Sequence, residues 1–178
     1  MPTRKALAYS KKLNRPYTRR SSVKSKSYIK TIPPQKIVKW RMGNQKAYDS
    51  NEYKFIVRLF SNEEIQIRDL ALEASRQYVN KMLDTELPGQ YFFELKVYPH
   101  NIIREHKVLT GAGADRMAVG MAHSFGTAIG RTAIVHKGGE VFRVAVPTQK
   151  AMQAAVGFLK QVKSKLPCNC SISVEIRK

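Results

Sequence analysis

Hydrophobic positions are spread very unevenly along this chain. Up to about residue 35 the chain mixes Lys, Arg, Ser, Tyr and Pro, with Leu13 and Val23 isolated and with a period of neither two nor 3.6. That stretch predicts no core of its own. Beyond Pro33 and Pro34, the positions Ile37, Val38, Trp40 and Met42 predict a short first strand over 37–42, closed by Gly43 and Asn44. Tyr53, Phe55, Val57 and Leu59 alternate with Lys54, Ile56 and Arg58, the mark of a strand with one buried face. Ser61 and Glu64 match a capping box and predict a long helix with Ile67, Leu70, Ala71, Ala74, Tyr78 and Met82 on one stripe, ended by Pro88 and Gly89. Tyr91, Phe93, Leu95 and Val97 predict the next strand, and from about 99 to 116 all period is lost, as in a projecting loop. Ala133–Val135 and Val141–Val146 flank Lys137-Gly138-Gly139-Glu140, which predicts a hairpin. Thr148 can cap a second helix whose Met152, Ala155, Val156, Leu159, Val162 and Leu166 share a face, ending before Pro167. Ile172, Val174 and Ile176 make a final strand.

This irregular alternation predicts an α+β sandwich and argues against a doubly wound parallel sheet. With 178 residues, 43% of them hydrophobic, there is material for one cored domain. The expected organisation is a basic N-terminal arm over 1–35 and a domain over 36–178, with no internal repeat.

Charge adds what periodicity cannot. The first 48 residues hold fourteen Lys and Arg and no acid, leaving a net of only +5 of the total +19 to the remainder. A segment so one-sided repels itself and gains most by lying along a dense anion, nucleic acid foremost and an anionic membrane surface second. The candidate phosphate-contacting residues are Arg4, Lys5, Lys11, Lys12, Arg15, Arg19, Arg20, Lys24, Lys26, Lys30, Lys36, Lys39 and Arg41. Tyr9, Tyr17, Tyr28 and Trp40 lie among them, and aromatic faces that stack on unpaired bases favour RNA. The aperiodic loop is the second candidate, with Arg104, His106, Lys107 and Arg116, and with glycines that let backbone approach a crowded surface.

Other chemistries fit poorly. No apolar run reaches the roughly 18 to 20 residues of a membrane span, and the N-terminus leads into no signal-peptide core, so a soluble intracellular protein is expected. Cys168 and Cys170 stand too close for a disulfide framework and lack the second pair of a zinc site, and His100, His106, His123 and His136 are scattered. A dinucleotide-binding reading of Gly111-Ala112-Gly113 lacks the third glycine, since Arg116 stands there, and Gly126 to Gly130 has three residues between glycines where a phosphate loop has four. Asp115, His123 and Ser124 have no spacing that specifies a triad. Neither an enzyme nor a bound cofactor or metal is expected.

Between Val97 and Val135 the chain reads VYPHNIIREHKVLTGAGADRMAVGMAHSFGTAIGRTAIV, preceded by PYTRR at 16–20, KIVKWRMGN at 36–44 and EIQIRDLALEASR at 64–76. These strings resemble the archaeal and eukaryotic branch of the universal large-subunit ribosomal protein sixteen family, from about residue 15 onward. The resemblance implies an α/β sandwich of the hammerhead kind, lodged in a crevice of large-subunit rRNA beside the aminoacyl-tRNA site. It implies that the loop from Arg104 to Arg116, with His106, Lys107, Gly111 and Gly113, points toward the peptidyl transferase centre and lies near tRNA. Large-subunit rRNA, aminoacyl-site tRNA and neighbouring ribosomal proteins are the implied partners, with no membrane and no homo-oligomer, in a cytoplasmic, ribosome-bound protein. The alternative is an RNA-binding or ribosome-assembly protein acting off the ribosome. The chain departs from the family at Thr127-Ala128, where Lys-Pro is common, which leaves fewer cations on that turn.

Overall fold

A computed structural model describes residues 31–105, 111–112 and 126–177, together with Val23, Ser25 and Ile29. Among the described residues the chain runs β1 (Arg41–Gly43), α1 (Gln45–Asp49), β2 (Phe55–Ser61), β3 (Ile65–Arg68), α2 (Asp69–Glu86), β4 (Phe92–Leu95), β5 (Asn101–Glu105), β6 (Thr127–Val135), β7 (Glu140–Val146), α3 (Gln149–Val162), a 3-10 turn (Lys163–Lys165) and β8 (Cys170–Ile176). The strands form two antiparallel sheets, one of five in the order β1-β4-β7-β2-β8 and one of three in the order β3-β6-β5. The class is α+β, as expected.

The core lies where α2 and α3 cover one face of both sheets. Val57, Leu59, Phe93, Phe142 and Val144 meet Leu72, Val79, Leu83, Ala155, Leu159 and Val162 there, all essentially without solvent. A smaller cluster of Ala47, Tyr53, Ile56, Phe92 and Ala145 lies on the opposite face of the five-stranded sheet, beneath α1. The middle strands β2, β4 and β7 thus bury apolar residues on both faces, and β2 does not have the single buried face that its alternation predicted.

Two predicted elements hold well. Thr148 caps α3 by accepting a hydrogen bond from the Ala151 N–H at 3.3 Å, and Ala155, Leu159 and Val162 face the core. The final strand runs from Cys170 to Ile176 at the sheet edge, with Val174 and Ile176 largely exposed.

Four expectations are corrected. The first strand is only Arg41–Gly43, because residues 37–40 have no ladder partner beyond the Leu95 N–H on the Trp40 carbonyl. Ser61 does not cap a helix: its hydroxyl donates to the Glu63 carbonyl at 2.7 Å, inside the turn into β3. The helix begins at Asp69 and buries Leu72, Ser75, Arg76, Val79 and Leu83, while Leu70 is 47% exposed. Strand and helix join without a turn, so Ile67 of β3 was read into the helical stripe and rotated it. Third, the aperiodic stretch begins with a strand, β5, whose adjacent Ile102 and Ile103 are both buried beside a register shift at Ile103/Arg104 that hides the period of two. Fourth, Lys137–Glu140 closes no hairpin, since β6 and β7 belong to different sheets. The turn carries the chain between them, tied to β2 by hydrogen bonds from the Gly138 N–H to the Ser61 carbonyl at 2.7 Å and from the Ser61 N–H to the Gly139 carbonyl at 3.0 Å.

Candidate nucleic-acid interface

Of the residues singled out in the arm, Arg4, Lys5, Lys11, Lys12, Arg15, Tyr17, Arg19, Arg20, Lys24, Lys26 and Lys30 lie outside the described residues. Where the segment meets the domain it is anchored. Ile29 is buried, Arg131 donates to the Pro33 carbonyl at 2.9 Å, and the Lys36 N–H bonds the carboxylate of Asp69. From there Lys36, Lys39 and Arg41 reach solvent, and Trp40 stacks on Tyr98 with ring centroids 5.0 Å apart. Tyr98 is 52% exposed and offers an aromatic surface beside these cations.

Arg41 also begins a row that sequence reading missed. Arg41 lies opposite Glu94, Glu94 opposite Arg143, and Arg143 opposite Arg58, so four strands present one line of alternating and then like charges on the outer face of the five-stranded sheet. The nearly buried Glu94 carboxylate draws in Arg41 Nε at 3.0 Å, Lys96 Nζ at 3.2 Å and Arg143 Nη1 at 4.0 Å. Glu140 takes Arg143 in a two-bond fork at 2.8 and 2.7 Å, which with the Tyr48 hydroxyl holds this guanidinium firmly protonated. Arg58 pairs with Glu175. The signal in the sequence was an Arg at the centre of each of two apolar strands, FIVRLFS and EVFRVAV.

The loop residues divide similarly. Arg104 is half-buried in β5, and Gly111 is exposed with φ +143°, a conformation suited to glycine. His106, Lys107, Gly113 and Arg116 lie outside the described residues. At the root the geometry is tight: a side chain on Gly126, at φ +102°, would start 2.8 Å from the Glu105 carbonyl. Glu105 and Gly126, on either side of residues 106–125, are thus neighbours in the fold. Residues 101–105 of the expected loop are strand β5.

The other motifs dissolve. Gly126–Gly130 opens strand β6 rather than a phosphate-binding turn. Cys168 and Cys170 are buried thiols with sulfurs 3.5 Å apart, and their mutual hydrogen bond together with burial pushes the Cys170 thiol up, keeping it neutral. Among the described residues no three His, Cys, Asp or Glu side chains gather as a metal site.

Residues 13–173 match the sequence profile of the family described as ribosomal protein L16p/L10e. The chain belongs to that family. Relatives in the L16p/L10e family include the protein named large ribosomal subunit protein uL16 of Hyperthermus butylicus, 39% identical over 98% of this chain and 94% of the relative. Those of Methanococcus maripaludis, 41% identical over 98% and 95%, and Staphylothermus marinus, 40% identical over 94% and 90%, carry the same name. L16p/L10e membership therefore spans the anchored end of the arm, both sheets and residues 106–125.

Proposed function

We propose that this chain is a non-catalytic structural protein of the large ribosomal subunit, bound to its rRNA near the aminoacyl-tRNA site. The observation that carries the reading is family membership over residues 13–173, because the relatives named for the large subunit align along nearly their whole length. The physical picture agrees. Residues 1–35 serve as a cationic arm that threads between rRNA helices, and 36–178 form the docking domain, of hammerhead type. The span rooted at Glu105 and Gly126 reaches toward aminoacyl-site tRNA with His106, Lys107, Gly111, Gly113 and Arg116. Neighbouring ribosomal proteins complete its surroundings, the chain acts without a second copy of itself, and its location is the cytoplasmic ribosome.

Cosedimentation with the large subunit through a high-salt wash tests this reading. Recovery mainly in the soluble fraction would overturn it in favour of an RNA-binding protein working off the ribosome. Deleting residues 106–116 is expected to leave thermal unfolding and subunit association nearly unchanged and to slow aminoacyl-tRNA accommodation. The deletion starts at 106 because Arg104 and Glu105 are β5 residues paired with β6.

A further inference from the structure

Among the described residues Tyr98 is the one aromatic side chain that is more exposed than buried. One face of its ring is taken by Trp40, stacked with 28° between the planes, and Trp40 in turn packs against the main core. The main chain is fixed beneath both rings. Tyr98 precedes Pro99, which confines it to extended conformations, and Pro99 is buried. The Tyr98 carbonyl accepts from the His100 N–H at 3.0 Å, and the Trp40 carbonyl accepts from the Leu95 N–H at 2.9 Å. With Trp40 behind it, the second face of Tyr98 is held toward water in one orientation. Covering Trp40 does not require this, because a leucine or the stem of a lysine would shield the indole and leave less apolar surface in solvent.

Charge says what would lie on that face. The stretch 31–48, which carries Trp40, contains Lys36, Lys39, Arg41 and Lys46 and no acid, and all four are exposed. Lys39 and Arg41 adjoin Trp40 in the chain. Lys96, which reaches Glu94 at 3.2 Å, and the exposed His100 flank Tyr98 two residues to either side. A preset aromatic face among exposed cations suits a flat base on a polyanion, whose phosphates meet the cations while the base stacks. An apolar protein surface would have to desolvate those lysines instead. We infer that the outer face of Tyr98, backed by Trp40, is a stacking platform for one unpaired base of RNA. Because the ring is already fixed, stacking costs little side-chain freedom. The inference rests on the function proposed above, and it adds a contact that salt does not screen to the salt-dependent contacts of the arm.

The test uses the full chain, a single-stranded oligouridylate carrying 5-bromouridine, and the variants Tyr98→Leu and Tyr98→Phe. Irradiating the wild-type complex is expected to place a cross-link on Tyr98, within the tryptic peptide 97–104. Tyr98→Leu is expected to bind the oligonucleotide roughly tenfold more weakly at an unchanged log–log salt slope, since it removes a ring and no cation. Tyr98→Phe should bind as wild type does, and inorganic polyphosphate should bind all three proteins alike. Cross-links confined to other residues, a loss shared by polyphosphate, or a Tyr98→Phe variant as weak as Tyr98→Leu would each overturn the proposal. So would a Tyr98→Leu protein that binds deproteinised rRNA like wild type yet enters the large subunit poorly, which would assign the ring to a neighbouring protein. The cross-link is read on the wild type, so the test does not depend on the variants folding. If the wild type bound neither oligouridylate nor deproteinised rRNA, the proposed function would fail together with the platform. RNA binding without the Tyr98 cross-link, and with Tyr98→Leu unimpaired, would overturn the platform alone.

Discussion

The two sheets treat their outward arginines in opposite ways. On the five-stranded sheet Arg41, Arg58 and Arg143 are each committed to a carboxylate, and Glu94 gathers three cations at once. On the three-stranded sheet Arg68 is more deeply buried than any of these and hydrogen-bonds none of the described residues. The contrast teaches that burial and charge do not by themselves mark a cation as available. What decides is whether the chain provides the counter-charge. Two acids next to arginines express the same difference: Arg76 forks onto Glu73 at 2.8 and 2.6 Å and holds its carboxyl below the usual range, whereas burial raises Asp69, which its neighbour Arg68 does not bind.

The largest effect should come from the most one-sided cations. Replacing Arg15, Arg19 and Arg20 together with Gln is expected to lower the salt slope of rRNA binding by about three, since these positions stand in a stretch without acids. Titration at several salt concentrations measures it, and an unaltered slope would remove the arm from the interface. Next comes Glu94→Ala, expected to cost about 3 kcal/mol of stability by leaving Arg41, Lys96 and Arg143 facing each other around a nearly buried position. Urea unfolding within a few tenths of a kcal/mol of wild type would show that the charged row is solvated and, like the arm, free to bind. The smallest effect concerns pH. Because Glu73 is depressed, its stabilisation is complete above its ordinary value near 4.5 and is lost as the pH falls through the lower folded-state value. Glu73→Gln should therefore flatten the acid limb of the stability profile while leaving the alkaline side alone. An acid limb as steep as in wild type would mean that the fork to Arg76 contributes nothing.

Local chemistry was readable from the sequence and tertiary pairing was not. The cap at Thr148 and the face of α3 depend on residues within a few positions of one another, and both were correct. The capping box at Ser61 failed because the same hydroxyl closes a turn between strands, an alternative that three-residue spacing does not distinguish. The hairpin at Lys137–Glu140 failed because its residues specify a turn, not which sheet each flanking strand joins. The basic composition pointed to RNA, and the motifs from Val97 to Val135 identified the family. The charged row stayed hidden, since it is made by lateral register among strands distant in sequence.

The crossing turn at Lys137–Glu140 has one more consequence, for the newborn chain. Because β2 pairs with β7 and β8, and β3 with β6, neither sheet can assemble from the first half of the polypeptide. The edge strand β8 is last in chain order among the described elements, so the five-stranded sheet is complete only once Ile176 has been made. The acid-free N-terminal residues emerge long before that, cationic and without a domain behind them. The most densely charged part of the chain is thus made well before the strands that close the sheet.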